Sequence, residues 1–484
     1  CRQFLKSKGI RAVIAYLASI DAIAEDHPEI AQSIANELRT QRTHLKLIAS
    51  ENYCSLPVQL AMGNLLTDKY AEGTIGHRYY AGCESVDAVE KRAADALKAL
   101  FKCDHAYAQP HSGADANWVA FSAILSTRIQ DPFLEKKGKK LMALTGEEHQ
   151  ELRKEMQSQK MLAMSLGAGG HISHGYRFNL SSTIFEAHHY EVSSETGRID
   201  YAAIETKALA VKPLVLIAGY SSYPRAIDFS KMRAIADKVG AVLMVDMAHF
   251  AGLVAGGVFE GVHNPVPYAD ILTSTTHKTL RGPRGGIVLC TDEFKAAVDR
   301  GCPSVMGGPL PHVMAAKAIA FEEALKPTFK NYAAQVVSNA QALASGLEKR
   351  GAHVMTGGTD NHIIVVDTVK SFGLNGLQSE QALFNASITL NRNAIPFDPL
   401  GAWLTSGIRL GTPALTTLGM REEEMDEVAE IISNLLAQTK SSPDSKREFI
   451  LDQESIHAAR TQVEHLLVRF PLYPELHLGA AASL

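Results

Sequence analysis

Apolar positions fall into two rhythms along the chain. In its middle, short unbroken runs rich in Val, Ile and Leu stand at PLVLIAG (213–219), AVLMVD (241–246), DILTST (270–275) and GGIVLC (285–290). Runs of this length without alternation predict strands buried on both faces. A helical period over 229–239 joins the first two, and strand–helix–strand in this form predicts a mostly parallel sheet covered by helices. Other helical stripes predict helices over 85–101, 116–128, 312–325 and 331–350. Beyond them, HIIVVDTV (362–369) and ITLNR (388–392) open a second, smaller α+β unit.

The flanks read differently. Residues 1–45 form a helical, polar-faced arm whose stripe continues through Ile30, Ile34 and Leu38. Residues 47–82 carry polar and aromatic side chains in no clean period, as loops and short helices that display side chains do. A charged insert at 131–160 reads as a solvated helical excursion. The expected organisation is a 1–75 arm and substrate-contact segment, a 76–330 large domain, a 331–440 small C-terminal domain, and a polar, then helical 441–484 extension.

Composition narrows the classes. With 484 residues, 46% apolar and 21% charged, the chain is globular and long enough for a large core. A net charge of −4 offers no basic field, so neither nucleic acid nor a membrane is expected as partner. Arg2, Lys6, Lys8 and Arg11 before the apolar run 12–20 imitate an export signal. That run is shorter than the roughly 18 residues of a membrane span, and Asp21 follows it at once. None of the six cysteines forms a C-x-x-C pair, which predicts free thiols, a reducing, cytoplasmic setting and no metal site.

The chemistry starts at Lys278, in DILTSTTHKTLRGPRGG, just beyond a buried strand. Alone it reads equally as a core-edge ion-pair lysine. Asp246 ends another such strand, and in open α/β sheets ligands collect beyond the carboxyl ends of strands. A strand-end lysine with a strand-end acid is the pair that a pyridoxal phosphate site requires. The lysine holds the aldehyde as a Schiff base, and the acid keeps the pyridine nitrogen protonated so that the ring accepts electrons. Ser112-Gly113-Ala114 opens a helix, as a phosphate cradle or as a simple N-cap at Ser112. His171, in GGHISHG, is a candidate to stack on the ring.

LIASEN, KYAEG followed by RYYAGC, QPHSG, GGHISHG, VDMAHFAGL, TTHKTLRGPRGG and SGIRLGTPA occur in that order. On these segments the chain, from about Leu47 to about Glu430, resembles the serine hydroxymethyltransferases, and its insert and tail resemble the extended chlamydial form. The resemblance implies a fold-type I pyridoxal-phosphate-dependent transferase, similar to aspartate aminotransferase, with a seven-stranded sheet and a smaller C-terminal α+β domain. It implies reversible conversion of serine and tetrahydrofolate to glycine and 5,10-methylenetetrahydrofolate by a homodimer or tetramer. Residue by residue, Lys278 carries the cofactor, Asp246 pairs with the pyridine nitrogen, His249 lies near the ring hydroxyl and His171 stacks. Ser112, Gly113 and Ala114 bind phosphate with Gly307 and Gly308 of the neighbouring subunit, while Ser221 and Thr275 add contacts. His277 influences reaction choice. Arg409 and Ser50 hold the amino-acid carboxylate, Tyr70, Glu72 and Tyr80 complete the site, and Leu166, Gly170, Ile172 and Asn393 match folate-contact segments.

Ala114 stands where the family often has a serine and Ala168 where it often has a histidine. Ser304-Val305-Met306 and Thr74-Ile75 also depart from its usual pattern. These changes cluster around phosphate and folate, which keeps a folate-independent aldolase or racemase on the same lysine as an alternative. A catalytically silent scaffold or RNA-binding protein is the alternative from another class, and the intact Lys278, Asp246 and Arg409 argue against it.

Overall fold

The computed structural model describes residues 10–476, so Arg2, Lys6, Lys8 and the closing 479–484 lie outside the described residues. Seven strands form the main sheet: β1 (His105–Tyr107), β2 (Lys160–Met164), β3 (Glu186–Tyr190), β4 (Val215–Gly219), β5 (Val242–Asp246), β6 (Ile271–Thr275) and β7 (Gly286–Cys290). Their order is β1-β7-β6-β5-β4-β2-β3. Neighbours from β6 through β3 pair in parallel, and β7 runs antiparallel to both β1 and β6. Strands β4 to β7 are buried at every residue, which is why their sequences lack a polar–apolar alternation; β6 ends in the buried polar run Thr273-Ser274-Thr275. One face packs Val119, Phe121, Ile124 and Phe294 against Val215, Ile217, Met244 and Val288.

The expected helices are present as Glu84–Phe101, Phe229–Val239, Pro311–Ala324 and Pro327–Lys349. The helix expected over 116–128 begins earlier, at Gly113, because Ser112 caps it, and ends at Leu125 in a wider turn over Ser126–Gln130. In the insert, helices Asp131–Lys137 and Gly146–Gln157 are tied by Lys137–Glu151 and Lys139–Glu148 pairs. Of these two helices only Phe133 and Leu152 are buried.

The chain divides into two compact units. One comprises Met62–Ala334 with Ile395–Phe397 and contains the seven-stranded sheet; the other comprises the described residues up to Ala61, Gln335–Ala394, and those from Asp398 onward. The second unit holds an antiparallel sheet of β8 (His353–Val354), β9 (Ile363–Asp367), β10 (Asn391–Asn393) and β11 (Gly407–Gly411), ordered β8-β9-β11-β10. The run ITLNR is therefore not one strand. Ile388–Thr389 pairs instead with Leu45–Lys46, and Leu45 and Leu47 share a core with Val463, Leu466 and Leu467 of the C-terminal helix. The arm's stripe also differs from expectation: Pro28 starts a new helix after Ile10–Asp26, and Ala31, Ala35 and Leu38 are its buried face. Ile30 is 56% exposed. Among the described residues, no helix is long and apolar enough to cross a membrane.

Candidate active site

Turns beyond the carboxyl ends of the parallel strands gather the chemistry of the first unit. Asp246 closes β5, level with Gly219 of β4 and Thr273 of β6. Thr275 closes β6 and leads into Thr276-His277-Lys278, whose turn is tied by Gly282 N–H to the Thr276 carbonyl at 2.7 Å and Thr276 N–H to the Gly285 carbonyl at 3.0 Å. Lys278 and Asp246 are both buried. Burial alone would raise the Asp246 carboxyl, but hydrogen bonds from His174 and Asn117 hold it well below the usual carboxylate range.

Those bonds form a connected network. Thr273 Oγ1 donates to Asn117 Oδ1 at 2.6 Å, so the Asn117 amide nitrogen donates to Asp246 Oδ2 at 3.0 Å and to Ser173 Oγ at 2.8 Å. Ser173 Oγ lies 2.6 Å from His171 Nδ1, which accepts from the Ser173 amide at 3.2 Å. His174 Nδ1 accepts from the His171 amide, and its Nε2 donates to Asp246 Oδ2 at 2.9 Å. Asp246 Oδ1 accepts from the Ala248 amide at 3.1 Å and retains lone-pair capacity for a further N–H. Donor atoms of His171, His174 and Asp246 lie within 4.8 Å of one another, and this bonding explains the cluster without a metal. His174, Asn117 and Ser173 were not singled out from the sequence. His174 stands three residues after His171 in GGHISHG and Asn117 one turn after Gly113, and that spacing was the available signal.

The candidate cradle lies at the start of helix Gly113–Leu125. Ser112 does cap it, its hydroxyl oxygen accepting from Asp115 N–H at 3.1 Å, and the Gly113 and Ala114 amides belong to the open first turn. A Cβ on Gly113 would sit 2.6 Å from Thr275 Cγ2, so only glycine brings this backbone against the end of β6. Thr275 Oγ1 donates to the Ala248 carbonyl, and the buried His249 accepts through its own carbonyl from Thr279. The Ser221 amide donates to Gly169 O at 2.7 Å, joining the turn after β4 to the 165–170 turn. In that turn a Cβ on Gly170 would lie 2.2 Å from the Met164 carbonyl, while Leu166 and Ile172 are exposed. His277 Nδ1 is buried without a hydrogen-bond partner, and burial pushes the ring's pKa down to about 3.

In the same unit Tyr70 and Tyr80 meet edge to face at 5.0 Å, and Tyr80 Oη donates to Glu72 at 3.4 Å. Gly308 lies against the Tyr70 ring and its carbonyl bonds His111 Nε2 at 2.9 Å, while Gly307 adopts φ +74°. The second unit holds the other candidates. Arg409, on β11, donates through Nε to Asn391 Oδ1 at 3.1 Å, and burial lowers its pKa to about 10. Ser50 follows Ala49, which lies so close to Gly411 that a Cβ there would be 2.4 Å from Ala49 Cα. Asn393 Nδ2 bonds the adjacent Ala394 carbonyl.

A strand-end carboxylate kept ionised with an acceptor site to spare, a buried lysine one strand away and a helix opening on Ser-Gly fit pyridoxal phosphate. Fold and site together define a fold-type I pyridoxal-phosphate enzyme. Comparison with known proteins gives the family: the serine hydroxymethyltransferase family model matches residues 23–135 and 154–432, and the chain belongs to that family. It is 55% identical to the serine hydroxymethyltransferase of Treponema pallidum, over 96% of this chain and 82% of the relative. It is also 55% identical to that of Mycolicibacterium smegmatis (96% and 95% covered) and 52% identical to that of Chlamydia caviae (96% and 95%). The gap in the family match, 136–153, falls inside the charged insert.

Proposed function

We propose a division of labour among these residues for the serine hydroxymethyltransferase reaction, the reversible conversion of serine and tetrahydrofolate to glycine and 5,10-methylenetetrahydrofolate. Pyridoxal phosphate, the family's cofactor, supplies the electron sink for the bond broken at the substrate Cα. Lys278 would hold the cofactor through its aldehyde. Asp246 keeps a proton on the pyridine nitrogen, and the ring of His171 offers a face for stacking. The Ser112 hydroxyl with the Gly113 and Ala114 amides holds phosphate; Ala114 contributes its amide alone. Ser221, Thr275 and His249 bound the ring.

Arg409, with Ser50, binds the amino-acid carboxylate. A planar guanidinium matches a carboxylate in two bonds, so it sets orientation, and orientation selects which Cα bond is broken. Glu72 moves protons at the serine hydroxyl or at folate, with Tyr80 and Tyr70 beside it. His277 acts as a neutral polar group next to the lysine, since its pKa of about 3 keeps the ring uncharged near pH 7. Leu166, Gly170, Ile172 and Asn393 contact folate. The working unit is a cytoplasmic homodimer, to which the neighbouring subunit lends Gly307 and Gly308; the exposure of Leu65, Tyr70 and Tyr79 supports an interface there.

The carrying observation is the buried, ionised Asp246 with Lys278 beyond the adjacent strand. Serine cleavage measured with and without tetrahydrofolate tests the reading: folate is expected to accelerate it by at least about a hundredfold, the scale of a positioned proton-transfer partner. Equal rates would establish the folate-independent aldolase instead.

A further inference from the structure

Lys317, on helix Pro311–Ala324, is 1% exposed. All three of its ammonium protons go to main-chain carbonyls: Ala108 at 2.6 Å, Pro110 at 2.8 Å and Gly286 at 2.8 Å. Two backbone segments meet at this charge. Ala108–Ser112 runs from the end of β1 to the cradle, and Gly285–Gly286 opens β7 while Gly285 accepts the Thr276 amide, two residues before Lys278. Gly286 N–H donates to Pro110 O at 2.9 Å. There is no slack: a Cβ on Gly285 would lie 2.4 Å from Lys317 Cε, and one on Gly286 would lie 2.1 Å from the Ser112 carbonyl oxygen.

A buried ammonium is costly to desolvate, and here that cost is offset by the three carbonyls it ties together. Burial pushes the Lys317 pKa down to about 7, with Glu90 and Asp115 pulling it back up. We infer that Lys317 is a positioning residue for the cofactor phosphate: it locks the Ala108–Ser112 turn to the start of β7 and so aims the Ser112–Gly113 cradle relative to the turn that carries Lys278. This rests on the reading of Ser112–Ala114 as the phosphate cradle.

The test compares binding of pyridoxal phosphate with binding of pyridoxal, which lacks the phosphate, by visible absorbance on cofactor-stripped protein. Wild type is expected to prefer the phosphorylated form by at least about a hundredfold, the worth of one or two charge-assisted hydrogen bonds. Absence of that preference in wild type refutes the cradle. With the preference present, K317M is expected to cut it by about tenfold or more, whereas loss of a mere strut would lower the melting temperature and leave the ratio intact. G285A, which keeps the charge but presses on Lys317 Cε, is expected to lower the same ratio and carries the test if K317M does not fold. An unchanged ratio in the variant that folds overturns the inference, and so does failure of both to fold, because the ammonium then serves the fold alone.

Discussion

A carboxylate as deeply buried as Asp246 stays ionised only because donors reach it, and the same logic explains why its neighbours were hard to read. Asp246 was legible because it ends an apolar run, and Lys278 because it follows a buried strand by three residues. His174, Asn117 and Thr273 were not, since a bond such as Asn117 to Asp246 spans 129 residues and no local pattern announces it. His277 carries a pH prediction. Its pKa is about 3 in the folded chain against an ordinary 6.5, so between those values the unfolded state binds a proton that the folded state does not. Stability therefore falls as pH drops through that window. H277Q is expected to lose less stability than wild type between pH 7 and pH 5 in urea titrations; equal losses would mean that His277 charges in the folded state. For R409A, serine and glycine should bind about a hundredfold more weakly, as expected on losing charge-assisted bonds, with cofactor retained. Unchanged amino-acid affinity would remove Arg409 from the site.

Elements were readable to the extent that burial left a period. Strands β4 to β7 announced themselves by short runs rich in Val, Ile and Leu, whereas β1, β2 and β3 did not. HAY is too short to show a pattern, KMLAM follows a charged helix and lacks β-branched residues, and EAHHY is polar because β3 is the sheet's edge. Helix starts carry a second prediction. S112A removes the cap on Asp115 N–H and should cost about 1 kcal/mol of cofactor-free stability while also weakening cofactor binding. T145A breaks the capping box with Glu148 in the insert; its cost should be similar or smaller, with cofactor affinity unchanged. Thermal melts and cofactor titrations on the two variants separate them. Equal cofactor affinity in both would reduce Ser112 to a helix cap.

Across the whole molecule, the sequence conveyed the sheet and the order of motifs better than the company its ends keep. The arm read as peripheral and the tail as an extension, yet Leu45, Leu47, Val463, Leu466 and Leu467 share one core. Pairing of residues so far apart in the chain leaves no periodic trace at either end. The insert did reveal itself, since a charged stretch with two buried apolar residues has little to pack. The account as a whole turns on which lysine holds the cofactor. Reduction of the holoenzyme with borohydride, followed by peptide mapping, answers that directly: the pyridoxyl group should be recovered on Lys278. Recovery on any other lysine, the buried Lys317 included, or no label on protein that had carried the cofactor's colour, would contradict it.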